Sequence, residues 1–250
     1  FELPNLDAHN ESCVNIGNML WNWRMLLATG KAAYADMLEQ VAYNSLLGAV
    51  NLDGSGYFYT NPLAVNQDIT YQLRWSKVRE PYISYCNCCP PNTIRTIAEM
   101  QNYLYGVSDE GLYVHLYGGS TLKTVLPGGE KLELTQETDY PWEGKVLLKI
   151  QKAPKKEFSM FLRIPGWERA ATVAVNNEIV AGEIKGGSYF ELNRKWKKGD
   201  VVTLVMDIRP FLVQSNPLVE ENRNMVAVQS GPVVYCLESE GLPEGIRLSD

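Results

Sequence analysis

The apolar period of this chain changes once, between Gly106 and Gly111, from about 3.6 residues to about 2. A helical stripe and a strand alternation bury their apolar sides in different ways, so the change predicts a helical segment over residues 1–107 and a β-domain over residues 108–250. Upstream of the change, ESCVNIGNMLWNWRMLLATG follows Asn10 as a cap, sets Cys13, Ile16, Leu20, Trp23 and Leu27 on one arc, and stops at Gly30. KAAYADMLEQVAYNSLLG predicts a second helix, with Ala35, Leu38, Ala42 and Leu46 inward, Glu39 at the edge of that arc and Gly48 as the stop. After an Asp53-Gly54 turn, YFYTNPL reads as a short extended segment with Tyr57 and Tyr59 on one side. A third helix opens at Pro90-Pro91, with Ile94, Ile97, Met100, Gln101 and Leu104 at helical spacing. Downstream, LYVHLYGGS, VLLKIQK, FSMFLRIP, TVAVNNE, SYFELNRKW, DVVTLVMDI and MVAVQSGPVVYCLE are strands bounded by turn residues, which favours an antiparallel β-sandwich.

Three helices and the long irregular stretch NPLAVNQDITYQLRWSKVREPYIS do not close a core for the first 107 residues. The helical segment is therefore expected to be the end of a larger helical domain. The opening FELPNLDAHN has neither an initiator Met nor a basic leader, so the start is read as cut. With 45% apolar and 21% charged residues the composition is globular, which excludes disorder, collagen and coiled coil. No apolar run reaches the roughly 18 residues of a membrane span. The net charge of -6 divides evenly, -3 on each side of residue 107, without a Lys/Arg run. Neither nucleic acid nor a membrane is an expected partner.

Of the five cysteines, Cys13, Cys86, Cys88 and Cys89 crowd into the first third of the chain, unlike the even scatter of a disulfide framework. Adjacent thiols do not easily bond to each other. A helix opening at Pro90-Pro91 points its N-terminal dipole at them, and this predicts lowered thiol pKa values. A thiolate pair is half of a tetrahedral zinc site, and Glu11-Ser12-Cys13 offers the other half at a helix start. Glu11, Cys13, Cys88 and Cys89 are the expected metal ligands, although their spacing matches neither zinc fingers nor ribbons. The plainer alternatives are buried packing cysteines or a purely structural zinc. Cys236, in VVYCL, reads as a small buried hydrophobe.

Glu39 is either a buried acid kept for catalysis or binding, or an edge residue reaching solvent, the commoner case. His115 sits in an alternating strand and reads as structural, while His9 lies near the expected ligands. No GxSxG, P-loop or GxGxxG is present, which leaves serine-hydrolase and nucleotide chemistry without support. Trp21, Trp23, Tyr57, Tyr59, Trp75, Tyr82 and Tyr85 would suit stacking on sugar rings, or simply fill a core.

In order along the chain, ELPN, NESC, YADMLEQVAYNSLLGAVNLDGSGYFYTNPL, YCNCCPPNTIR, LYVHLYGGS, RIPGW and QSGPVVY resemble glycoside hydrolase family 127, the β-L-arabinofuranosidase family. The resemblance covers essentially the whole chain, and CCPPN is among its most specific segments. It implies the C-terminal part of an (α/α)6 toroid followed by a β-sandwich, and a retaining glycosidase with a zinc-bound cysteine thiolate as nucleophile. Carried over by motif, Cys88 is the nucleophile, Glu11, Cys13 and Cys89 join it around zinc, and Glu39 and Tyr59 line the sugar pocket. The family's general acid/base Glu would precede Phe1, and its loss removes about two to four orders of magnitude in rate. The 250-residue chain is thus expected to bind zinc and hydrolyse little.

The expected partner is a carbohydrate, an L-arabinofuranoside or a related plant sugar, and a homodimer is a further expectation. Reduced zinc thiolates fit a cytoplasm, and a periplasmic home also fits. The competing reading is a non-catalytic protein in which zinc pins the helices and the β-domain binds carbohydrate or a partner chain. A thiol redox protein is disfavoured because no CxxC occurs, although Cys86-Asn87-Cys88 leaves C-x-C chemistry open.

Overall fold

The computed structural model describes residues 4–5, 8–61, 63–64, 78–238 and 242–246. Most of the irregular stretch between Asn61 and Ser84, Trp75 included, lies outside them. The helical part comprises α1 (Ser12–Thr29), α2 (Ala32–Gln40), which continues as a π-turn over Val41–Leu46, and α3 (Cys89–Glu99), which tightens to a 3-10 turn over Met100–Tyr103. Gly30 closes α1 as expected: its φ of 66° suits glycine, and its N–H donates to Leu26 O at 2.8 Å.

Two of the three helices, α1 and α3, bury different faces from those expected. In α1 the buried set is Ser12, Ile16, Met19, Asn22 and Leu26, and Leu27 is exposed. This helix is apolar around most of its circumference, so the sequence defines no single stripe. α2 follows its pattern, with Ala35, Leu38, Ala42 and Leu46 all buried. In α3 the buried positions are Cys89, Pro90, Thr93 and Thr96, whereas Ile94 and Ile97 face outward. Helical spacing identifies an apolar face but not the neighbour that covers it.

The β-region begins with β1 (Tyr105–Ser108), β2 (Gly111–Val114), β3 (Ser120–Val125), β4 (Lys131–Thr138) and β5 (Lys145–Lys152). It continues with β6 (Phe158–Ile164), β7 (Thr172–Val175), β8 (Glu178–Ile179), β9 (Ser188–Arg194) and β10 (Val201–Val205). β11 (Phe211–Val213), β12 (Ala227–Ser230) and β13 (Val233–Tyr235) follow. One sheet runs β1-β2-β6-β9 and another β3-β4-β5-β10-β7-β8. Their facing sides share one core: Leu112, Met160, Leu162 and Ile164 from the first meet Leu134, Leu148, Val173 and Val202 from the second. All pairings are antiparallel except β2 with β6. That exception has a topological cause, because the chain leaves β2 to build β3, β4 and β5 in the opposite sheet before returning as β6. Gly111 permits the close pairing, since a Cβ there would lie 2.1 Å from Ser159 O.

A third sheet, β11-β12-β13, is tied back to the helices by Asn44 in the π-turn. The Asn44 amide donates to Pro232 O at 2.9 Å and its oxygen accepts from Val234 N at 2.8 Å. Cys236, just past β13, is exposed, which corrects the expectation of a buried hydrophobe; its strand has already ended. The molecule is thus mixed α and β, with few helices and several sheets. Among the described residues no helix is long and apolar enough to cross a membrane.

Candidate metal and active site

Two helix starts converge on one point. Glu11 is the N-cap of α1 and Cys13 lies in its first turn, while Cys88 is the N-cap of α3 and Cys89 its first residue. The segment that follows the Asp53-Gly54 turn is bonded to the α1 start. Ser12 N donates to Tyr59 O at 2.8 Å, Ser12 Oγ donates to Phe58 O at 2.7 Å, and Asn61 Nδ2 donates to Ser12 Oγ at 2.8 Å.

The four expected ligands are brought together. Their donor atoms all lie within 4.8 Å of one another. Cys13 Sγ is 3.6 Å from Cys88 Sγ and 3.5 Å from Cys89 Sγ, and the last two are 3.7 Å apart. Glu11 Oε1 is 3.5 Å from Cys88 Sγ and 3.8 Å from Cys89 Sγ. Sulfurs held at about 2.3 Å from a tetrahedral zinc sit about 3.8 Å apart, so the spacing fits such an ion. The donor chemistry fits as well, because three soft sulfurs with one carboxylate suit zinc better than magnesium or calcium.

Charge makes the same point. Burial pushes the Cys88 thiol well up, and hydrogen bonding with Cys13 adds to the rise. Burial is also the largest cause that pushes Cys89 up, to about 12. The lowered thiol pKa expected from the helix dipole does not emerge for Cys88 and Cys89 from protein groups alone, where desolvation is the largest cause. A bound cation would favour the thiolate form of these sulfurs.

Around the cluster the Tyr59 ring stands 5.4 Å from that of Tyr85 and 6.2 Å from that of His9, and His9 Nε2 contacts Glu11 Oε2 at 3.2 Å. The Tyr59 phenol is held well above its ordinary pKa by burial, with the Glu11 carboxylate the next cause. Cys89 is buried, Cys88 is half-buried and Cys86 is exposed. Three other aromatic residues named from the sequence make different contacts. Trp23 packs edge-on against Tyr103 and His115, and Trp21 and Tyr82 are exposed.

Glu39 is elsewhere. It is 2% exposed, so the commoner reading, an edge residue reaching solvent, is corrected. Its carboxylate is ion-paired to Arg163 on β6 and accepts from Tyr140 OH at 2.7 Å. It also borders a cavity of about 260 Å3 with Tyr43, Leu46, Met100 and Tyr117. Arg163, fully buried, pairs with Asp36 as well and donates to His115 O. Sequence reasoning missed Arg163 and Asp36. The available signals were the i, i+3 spacing of Asp36 and Glu39 on one helix face, and a lone arginine in an otherwise apolar strand.

Comparison with known proteins accounts for the chain almost end to end. A model described as the β-L-arabinofuranosidase GH127 catalytic domain matches residues 1–102, the GH127 middle domain matches 111–208, and the glycoside hydrolase family 127 C-terminal domain matches 210–247. A non-reducing end β-L-arabinofuranosidase of Bifidobacterium longum subsp. longum is 29% identical, over 100% of this chain and 39% of its own. A solved structure titled a glycoside hydrolase is 53% identical with a TM-score of 0.94, over 99% of this chain and 41% of that one. A GH127 β-L-arabinofuranosidase from Geobacillus stearothermophilus T6 is 39% identical with a TM-score of 0.87, over 94% of this chain and 38% of that one. The chain therefore spans about two-fifths of the length of these relatives. With its catalytic-domain segment, middle domain and C-terminal domain each matched in order, this chain belongs to glycoside hydrolase family 127.

Proposed function

We propose that this chain supplies the nucleophile and the adjoining β-domains of a retaining glycosidase that acts on β-L-arabinofuranosides. The observation that carries the reading is the convergence of Glu11, Cys13, Cys88 and Cys89 at two helix starts. These four residues would hold zinc, whose positive charge keeps sulfur deprotonated at neutral pH. Cys89 is buried and Cys88 half-buried, which favours Cys88 as the sulfur of the pair that a sugar would reach. The Cys88 thiolate attacks the anomeric carbon and displaces the aglycone oxygen, giving a glycosyl thioether on Cys88. Water then cleaves that bond from the opposite face, so two inversions give net retention. The leaving oxygen needs a proton in the first step, and water needs a base in the second. The family resemblance assigns both to a general acid/base Glu.

Tyr59, beside Glu11 and the sulfurs, would on this reading contact the sugar. Glu39, bonded to Arg163 and Tyr140, acts on this reading by fixing α2 to the β-domain. The outward apolar side chains Val14, Trp21, Leu27, Ile94 and Ile97 support residues 1–107 being the end of an (α/α)6 toroid, with 108–250 as the β-sandwich part.

The test is made in the whole protein. Cys88→Ser should abolish turnover of an aryl β-L-arabinofuranoside while leaving the fold intact, and a thiol-directed sugar analogue should label Cys88. Equal, purely destabilising effects of Cys88→Ser and Cys89→Ser would instead favour a structural zinc in a carbohydrate-binding protein.

A further inference from the structure

Cys86 belongs to none of the roles assigned above, yet its Sγ lies 3.6 Å from Cys88 Sγ. It is exposed, whereas Cys88 is half-buried and Cys89 buried. Asn87 holds the turn between them, its side-chain oxygen accepting from Ile83 N at 3.2 Å. Three sulfur pairs within the four-donor cluster are equally close, but each joins two of the expected metal ligands. Cys86 alone combines solvent access, freedom from the ligand set and proximity to the nucleophile. We propose that Cys86 is a thiol-exchange site for small disulfides, through which Cys88 is converted to a Cys86–Cys88 disulfide and the enzyme is reversibly silenced.

The chemistry is balanced as follows. The Cys86 thiolate attacks one sulfur of a low-molecular-weight disulfide RSSR and expels RS−, leaving a mixed disulfide on Cys86. Cys88 sulfur then attacks Cys86 Sγ, expels the second RS−, and closes the intramolecular bond. Two thiols lose two electrons and two protons, and one RSSR becomes two RSH. A disulfide has an S–S length of about 2.05 Å, so the two sulfurs must close by about 1.5 Å, a distance that side-chain rotation can supply. The bond removes the attacking sulfur and one of the four metal donors together. The loss of turnover rests on Cys88 being the nucleophile, but formation of the bond does not.

The experiment treats the zinc-loaded, full-length protein with 2-hydroxyethyl disulfide and follows peptide mass, free thiols, released zinc and turnover. A peptide carrying both Cys86 and Cys88 that has lost two hydrogens, release of zinc, and recovery of both on adding a thiol reductant and zinc are the expected results. Cys86→Ser should keep its zinc and its turnover under the same treatment. The inference is overturned if Cys86 stops at the mixed disulfide with Cys88 still free, or if oxidation joins Cys13, Cys88 or Cys89 while Cys86 stays reduced. Should Cys86→Ser fold poorly, the peptide map of the unaltered protein decides alone. If the Cys86–Cys88 bond forms and turnover persists, the exchange site stands, and both the silencing and the assignment of Cys88 as nucleophile fall.

Discussion

Arg163 on β6 and Glu39 on α2, 124 residues apart in sequence, form an ion pair in which both side chains are buried. Asp36, one turn earlier on α2, takes the other arm of the same guanidinium, and its Oδ2 accepts from Gly166 N at 3.1 Å. This cluster joins the helical segment that carries the thiols to the β-core.

Breaking that pair from one side leaves a carboxylate in the interior without its partner. Arg163→Met should therefore cost about 3–5 kcal/mol. Arg163→Lys should cost less, since it keeps the charge but loses the fork that reaches both carboxylates. Combining Arg163→Met with Glu39→Gln should recover part of the loss, because the stranded charge is gone. Urea unfolding of the three variants measures this. A double variant less stable than Arg163→Met would refute the account.

The site was more legible than the packing around it. Glu11-Ser12-Cys13 and Cys88-Cys89 each announce ligand chemistry locally, and only tertiary structure can bring segments 75 residues apart to 3.6 Å. Strand existence followed wherever a strand carries Val, Ile, Leu or Phe at alternate positions, as in β5, β6 and β10. β3 and β4 were missed because Lys, Thr, Glu and Gln dilute their alternation and only one face of β3 is partly covered. Arg163 alternates with Leu162 and Ile164 in β6, on the side of the strand away from the sandwich core. It is fully buried because the face opposite the sandwich core meets α2, a contact that no period in the sequence reports.

Zinc that binds only the folded protein stabilises it by mass action. At free zinc about 100 times Kd the gain is about 2.7 kcal/mol, and a chelator should remove it, lowering the unfolding temperature measured by calorimetry. Glu11→Gln, Cys13→Ser and Cys89→Ser should each weaken zinc binding by more than the roughly 10–100-fold that loss of an outer hydrogen-bond partner costs. Metal analysis after gel filtration checks this. Full zinc occupancy in Cys13→Ser would remove Cys13 from the ligand set.

Asn44 supplies both a donor and an acceptor to the backbone around β13 from within the π-turn. Asn44→Ala leaves Pro232 O and Val234 N without those partners, at about 1–3 kcal/mol. Because the bonds reach only the third sheet, loosening should be local. Hydrogen exchange should speed up across β12 and β13 and stay unchanged across β5 and β10. Uniform acceleration through all the sheets would mean that Asn44 supports the whole fold.

His115 gives a pH dependence with a definite sign. It is 5% exposed, its Nδ1 lies 2.6 Å from Tyr189 Oη, and its Nε2 faces Gly106, where a Cβ would come within 2.5 Å. Burial, reinforced by the Arg163 charge, lowers its pKa from 6.5 to about 4. The unfolded chain therefore takes up a proton on acidification before the folded one does. Stability contributed by the neutral ring is complete above pH 6.5 and is lost progressively as the pH falls towards 4, by about 3 kcal/mol at the lower limit. Urea unfolding at pH 7, 5.5 and 4.5 should show this decline, and a variant with a neutral isostere, His115→Gln, should show a shallower one whatever its starting stability. Parallel slopes for the two proteins over that window would place the acid sensitivity in other groups.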